Sequence, residues 1–150
     1  MIVRWLVAAL HLLALGIGLG AVWVRALALR APLDTAGLRR ALRADGLWGL
    51  AALIWISTGV WRAFGGLEKG AAYYLSSPFF WAKMSLLALI IGLEIWPATA
   101  LTQWRGRLRR GQPVDTRPAA RFAAISFIQA GLVVAMVLAA TAMARGVGAR

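Results

Sequence analysis

Three ionisable side chains stand inside long apolar stretches of this chain: His11, Lys83 and Glu94. Such groups are costly in hydrocarbon, and they are kept there to pair, to hold a ligand or to move protons. His11 is the only histidine. An imidazole held between helices is a natural axial ligand for haem iron, and helix bundles build cofactor sites from facing helices. The expected cofactor is therefore haem b, with His11 on the metal. Lys83 or Met136 would supply the second ligand, or the position would stay open. Lys83 can alternatively meet a propionate or donate a proton. Arg62, Lys69 and Arg4 would stand near the membrane surface, where propionates point. Zinc and copper are disfavoured, because one histidine without cysteine cannot fill a tetrahedron.

The polar residues repeat by helix face. His11, Gly18 and Arg25 are spaced by seven and share one face of a helix. Gly18 would leave room there for a flat macrocycle. Lys83, Leu87, Ile90 and Glu94 share a face of another helix, and Gln129, Met136 and Met143 a face of a third. With a rise of 1.5 Å per residue, His11 and Met136 each lie roughly 12 Å from the same end of the bundle, and Lys83 roughly 8 Å. His11, Lys83 and Met136 thus form one expected layer. Glu94, Gln129 and Arg25 form a second, deeper one, a polar intramembrane pairing. Plainer roles stand beside these: His11 bonding a neighbouring helix, Lys83 snorkelling outward, Met136 packing, and Glu94 with Gln129 and Arg25 acting as a structural clamp.

Four apolar runs must position these groups: Trp5 to Val24, Gly46 to Trp61, Pro78 to Trp104 and Phe122 to Ala144. A helix crosses a bilayer with about 20 apolar residues. The second run is short, and Ala63 and Phe64 extend it if Arg62 snorkels. A hydrophobic share of 61% and a mean hydropathy of +0.74 agree. The expected fold is all-α, an integral membrane four-helix bundle with antiparallel up-down connectivity. It forms one transmembrane domain over residues 1–150, with spans near 3–29, 44–64, 78–104 and 119–144. The first run is too long for a signal peptide's core, and Arg25 and Arg30 flank the small residues that imitate a cleavage site, so it is expected to stay uncleaved. The absence of cysteine excludes disulfides and thiolate chemistry.

Punctuation marks the helix ends. Ser77-Pro78 reads as an N-cap with proline in the first turn, and Asp115-Thr116 before Pro118 as a second start. Asp34 or Thr35 can cap a short turn, Leu38 to Arg43, that runs into the second span. Gly65-Gly66 closes that span. Pro97 should kink the third. Gly16 and Gly20 form a G-x-x-x-G pair, expected to let another helix approach closely. Trp5, Trp61, Trp81 and Trp104 fall near span ends, where an aromatic belt belongs.

The net charge of +12 is unevenly placed. Arg25, Arg30, Arg39, Arg40 and Arg43 surround the first connection, and Arg105, Arg107, Arg109, Arg110, Arg117 and Arg121 the third. The positive-inside rule puts both connections in the cytoplasm and both termini outside. The arginines are then topology signals that also contact anionic lipids. No nucleic-acid motif accompanies them, so nucleic acid is not an expected partner.

The stretch Glu68-Lys69-Gly70-Ala71-Ala72-Tyr73-Tyr74-Leu75-Ser76-Ser77-Pro78-Phe79-Phe80-Trp81-Ala82-Lys83-Met84 resembles the signature of a family of short, four-span, functionally uncharacterised bacterial membrane proteins. The first helix, with His11 and Trp23-Val24-Arg25, fits the same pattern. The resemblance covers nearly the whole chain and implies a multi-pass protein of the bacterial inner membrane. More distantly, the chain resembles the HemJ-type protoporphyrinogen oxidases and the CopD-type membrane domains. HemJ-type proteins are small helical haem b proteins with a functional histidine in the first helix and a tryptophan-x-histidine-x-lysine pattern near the start of the third. His11 and Lys83 match that histidine and lysine, whereas Trp81 replaces the second histidine. These features lead to the expectation of a haem b-binding membrane protein serving electron transfer or an oxidoreductase reaction with a redox partner. The alternative is a non-catalytic membrane subunit, an assembly or transport partner without cofactor.

Overall fold

The structure, a computed structural model, describes residues 1–66 and 71–145. Lys69 lies outside the described residues. Four long helices dominate: α1 (Ile2–Arg30), α2 (Thr35–Phe64), α4 (Pro78–Arg109) and α5 (Ala119–Ala144), with a single short turn of helix, α3 (Ala71–Ser76), before α4. Each long helix is long and apolar enough to cross a membrane.

The starts and stops follow local chemistry. Asp34 caps α2 by accepting the Gly37 N–H at 2.7 Å. The helix therefore begins nine residues before the expected span at 44, and the predicted turn and span form one rod of 30 residues. Asp34→Ala should destabilise the protein by about 1 kcal/mol, as for a typical N-cap loss, in a denaturant titration in detergent. The Gly65 N–H closes α2 on the Trp61 carbonyl at 2.8 Å, and Gly66 turns the chain with φ of 69°. Ser77 does stand at the N-cap of α4 ahead of Pro78, but its side chain makes no capping bond. The Asp115 start differs from expectation. Its carboxylate turns to Arg117, at 2.9 and 2.7 Å, and Pro118 takes the N-cap position of α5. The Arg117 guanidinium holds the Asp115 carboxyl down at about 2. Pro97 is buried inside α4, and the helix runs through it to Arg109.

Contacts fix how the rods pack. Along α1 from His11 to Arg25, the partners in α2 run backwards from Thr58 to Asp45. Between α4 and α5, Ile90 meets Gln129 while Trp104 meets Phe122. One apolar cluster, with Ala28, Leu42, Leu101, Trp104 and Phe122, fills the end near the first connection. A second, with Ala14, Val22, Trp48, Trp55, Val133 and Met136, fills the middle. Leu13, Ile17, Leu53, Ile95 and Leu138 turn outward, as a surface solvated by lipid requires.

Two expectations about packing are corrected. A Cβ added at Gly16 or Gly20 would meet nothing within 4 Å, so among the described residues no helix packs closely on the G-x-x-x-G pair. The close approach is at Gly18, where a Cβ would sit 3.4 Å from Ala51 and 3.5 Å from Trp48. Trp5, Trp61 and Trp81 are exposed near helix ends, but Trp104 is buried against Phe122. Because α4 continues to Arg109, Trp104 lies more than a turn inside the helix and is part of the core.

Candidate functional site

One cavity of about 420 Å³ opens among α1, α2, α4 and α5. His11, Arg62, Lys83 and Met136, from four different helices, all line it. Its walls are otherwise mainly apolar, with Leu12, Leu15, Ile56, Val60, Phe80 and Leu87 among them, and no described carboxylate faces it. Lys83 is half-buried, and among the described residues no acid pairs with it. Arg4 donates instead to the Gly66 carbonyl at 3.4 Å, outside the lining.

His11 is held by α2 at both ring nitrogens. Its Nδ1 lies 2.9 Å from Thr58 Oγ1 and 3.0 Å from the Trp55 carbonyl. The Trp55 indole N–H donates to Nε2 at 3.1 Å. Thr58 spends its own hydroxyl proton on the Ile54 or Trp55 carbonyl of the preceding turn, at 2.7 and 3.1 Å. Its oxygen is therefore an acceptor toward His11, and the bonding pattern assigns the imidazole proton to Nδ1. Gly59 makes room for the ring: a Cβ there would lie 3.1 Å from His11 Cε1.

These contacts test the fit to haem b. Lys83 and Arg62 beside apolar walls suit a molecule with carboxylate groups on an apolar body. The iron end fits poorly. The Nε2 lone pair needed for axial ligation already accepts from Trp55, which is itself buried. The room expected at Gly18 is filled by Trp48 and Ala51. Met136 is packed in the core with 1% of its surface exposed. In this arrangement the residues suit the propionates of a haem and not its metal.

The deeper layer is a closed network around Arg25, which has no exposed surface. Arg25 forms a two-pronged bond to Glu94 at 2.7 and 2.9 Å. It also donates to Asp45 at 2.9 Å, Gln129 at 2.7 Å and Ser126 at 3.0 Å. Gln129 returns its amide N–H to Glu94 at 2.8 Å and to the Ile90 carbonyl at 3.2 Å. Arg105 reaches the other Asp45 oxygen at 3.2 Å. The expected meeting of Glu94, Gln129 and Arg25 is thus present, and every donor of the buried guanidinium has an acceptor. Two carboxylates balance two guanidiniums, which is the condition for keeping charges in a low-dielectric interior.

Sequence reasoning missed Asp45, Trp55 and Thr58. Asp45 was not singled out; it lies eleven residues into α2, just ahead of the apolar run that begins at Gly46. The spacing Ala41, Asp45, Trp48, Trp55 carries the signal, since it marks one face of a continuous helix and all four are buried.

Fold and site together define a four-span membrane protein with an apolar, cation-bearing cavity above a buried ion network. Residues 3–148 match the family described as predicted membrane protein DUF2214, and the chain belongs to that family. Comparison with curated proteins and with solved structures returns no match.

Proposed function

We propose that this protein is a membrane-embedded binding protein for an amphipathic ligand with an anionic head. The observation that carries this reading is the cavity itself: Lys83, to which no described acid is paired, set among apolar walls, with Arg62 also in the lining. Largely apolar pockets with a few placed polar groups are the general form of small-molecule sites. A lysine at membrane depth with no acidic partner among the described residues favours a ligand that brings the negative charge. His11, with its nitrogens engaged, presents a fixed imidazole edge to the same space. The role is that of a transport or assembly partner in the inner membrane. With the arginine-rich connections in the cytoplasm, the cavity opens toward the outer face.

Haem b binding, for electron transfer or an oxidoreductase reaction with a redox partner, is the second reading. It is favoured by the convergence of His11, Lys83 and Met136 on one cavity. It requires Trp55 to release His11 Nε2.

One experiment separates the two. The full-length protein, purified in mild detergent from cells supplied with haem precursor, is examined by absorption spectroscopy and by native mass spectrometry. The first reading expects no Soret band and a retained anionic amphiphile. A Soret band that disappears in His11→Ala, with the helical signal unchanged, establishes the second. A colourless protein that retains nothing anionic overturns both.

A further inference from the structure

A second cavity, of about 520 Å³, opens nearer the first connection, between α1 and the first half of α2. Its floor includes Gly20, Ala21 and Val24 of α1, and its other wall carries Arg39, Arg40 and Arg43 of α2. No described carboxylate lines it, and its described lining shares no residue with that of the His11 cavity. The three arginines are exposed, and none enters an ion pair among the described residues. Asp45, the acid nearest in sequence, spends both oxygens on Arg25 and Arg105.

The chemistry is divided along the groove. Arg39 and Arg40 lie in the first turns of α2, beside the connection from α1. Leu47, a further lining residue, is about 10 Å deeper along the helix than Arg40. The apolar floor therefore leads from the arginines toward the middle of the span. Gly20 is open: a Cβ there would meet nothing within 4 Å. We infer that this groove binds an anionic phospholipid, its phosphate held by Arg39, Arg40 and Arg43 and one acyl chain lying on the Gly20–Val24 floor. This site is independent of the function assigned to the His11 cavity. A second copy of the chain is the competing occupant, since Gly16 and Gly20 carry helix-pairing spacing. A two-fold dimer places the same patch on itself, so it would bring the two sets of arginines toward each other, whereas a lipid phosphate neutralises them.

The test uses the full-length, delipidated protein in a neutral detergent. Thermal unfolding is followed as phosphatidylglycerol, phosphatidylcholine or glycerol 3-phosphate is titrated in, and oligomeric state is read by light scattering. Phosphatidylglycerol should stabilise the protein saturably, and the other two should not. At roughly fivefold per arginine near a membrane surface, Arg39→Gln/Arg40→Gln/Arg43→Gln should weaken this binding on the order of a hundredfold. Removing the same charge elsewhere, with Arg107→Gln/Arg109→Gln/Arg110→Gln, should leave it nearly unchanged. Gly20→Leu, which the open space accommodates, should weaken phosphatidylglycerol by blocking the chain. Equal loss in both arginine triples means diffuse attraction and overturns the site. Equal binding of phosphatidylcholine, or of glycerol 3-phosphate, overturns it as well. So does an unaffected Gly20→Leu, or a dimer that Gly20→Leu disrupts and the arginine triple does not. Should the triple fail to fold, Gly20→Leu together with the three ligands still decides.

Discussion

Arg25→Leu should cost about 3–5 kcal/mol of stability, the range for removing one partner of a buried ion pair. The leucine fills part of the volume and removes every bond that ties α1 to Asp45, Glu94, Ser126 and Gln129. Glu94 is left with the neutral Gln129 amide and Trp48 indole and no cation, and Asp45 with Arg105. Arg25→Lys should recover a fraction of the loss. An ammonium carries three donors at one point, while the guanidinium fork meets four side chains in different directions. Glu94→Gln should cost less than Arg25→Leu, because Asp45 still faces the guanidinium. Removing both, as Arg25→Leu/Glu94→Leu, should cost less than the sum of the single changes, since no half of the pair is then stranded. Chemical unfolding in detergent measures all four. A cost below about 1 kcal/mol for Arg25→Leu, the scale of an exposed ion pair, would mean that the network does not hold the bundle together.

The placement of this network explains which parts of the molecule can be read from sequence. His11, Gly18 and Arg25 recur at intervals of seven, and all three are buried on one face of α1. Helical spacing converts directly into a shared face. The meeting of Glu94 with Arg25 was legible for the same reason, together with similar depth. Asp45 was not, although Asp34 was legible as a cap: Asp45 stands just before the apolar run that begins at Gly46, and its burial depends on Arg25 and Arg105 facing it. Trp55 was hidden differently. Its spacing marks a buried ring, but its indole N–H on His11 Nε2 depends on how α2 is rotated against α1. That rotation follows from packing such as Trp48 against Gly18, which no local pattern contains. The G-x-x-x-G pair misled because the motif states that a backbone can approach, not that one does.

Trp55 also links the two halves of the interior. It lines the His11 cavity and a smaller one of about 200 Å³ between α2 and α4, where Asp45 and Glu94 are found. Ile56 and Leu87 are common to both linings. At the ends of that pair of helices, Phe64 meets Phe80 and Arg105 meets the Leu42 carbonyl at 2.9 Å. The bundle thus separates a region where carboxylates and guanidiniums meet from a cavity in which Lys83 pairs with no described acid.

Lys83 is the residue on which that difference can be measured. Lys83→Met keeps a long flexible stem and removes the ammonium from a half-buried position. If Lys83 served the fold, the change would destabilise the protein. Because no described acid pairs with it, stability should instead stay the same or rise, since the cost of holding a cation away from water is relieved. Retention of the anionic ligand should fall at least about tenfold, equivalent to roughly 1.4 kcal/mol of binding. Lys83→Arg should keep retention near the native level, because the charge and reach are preserved, while Lys83→Glu should abolish it by placing a like charge against the head. Unfolding in detergent and native mass spectrometry of the same preparations give the two readouts. A loss of stability in the ligand-free Lys83→Met protein that accompanies the loss of retention would make Lys83 a structural residue. Unchanged retention in Lys83→Met and Lys83→Glu would remove the cationic cavity as the seat of binding. The expected combination, a protein no less stable without its lysine and unable to hold its ligand, is the mark of a side chain kept at an energetic cost for what it binds.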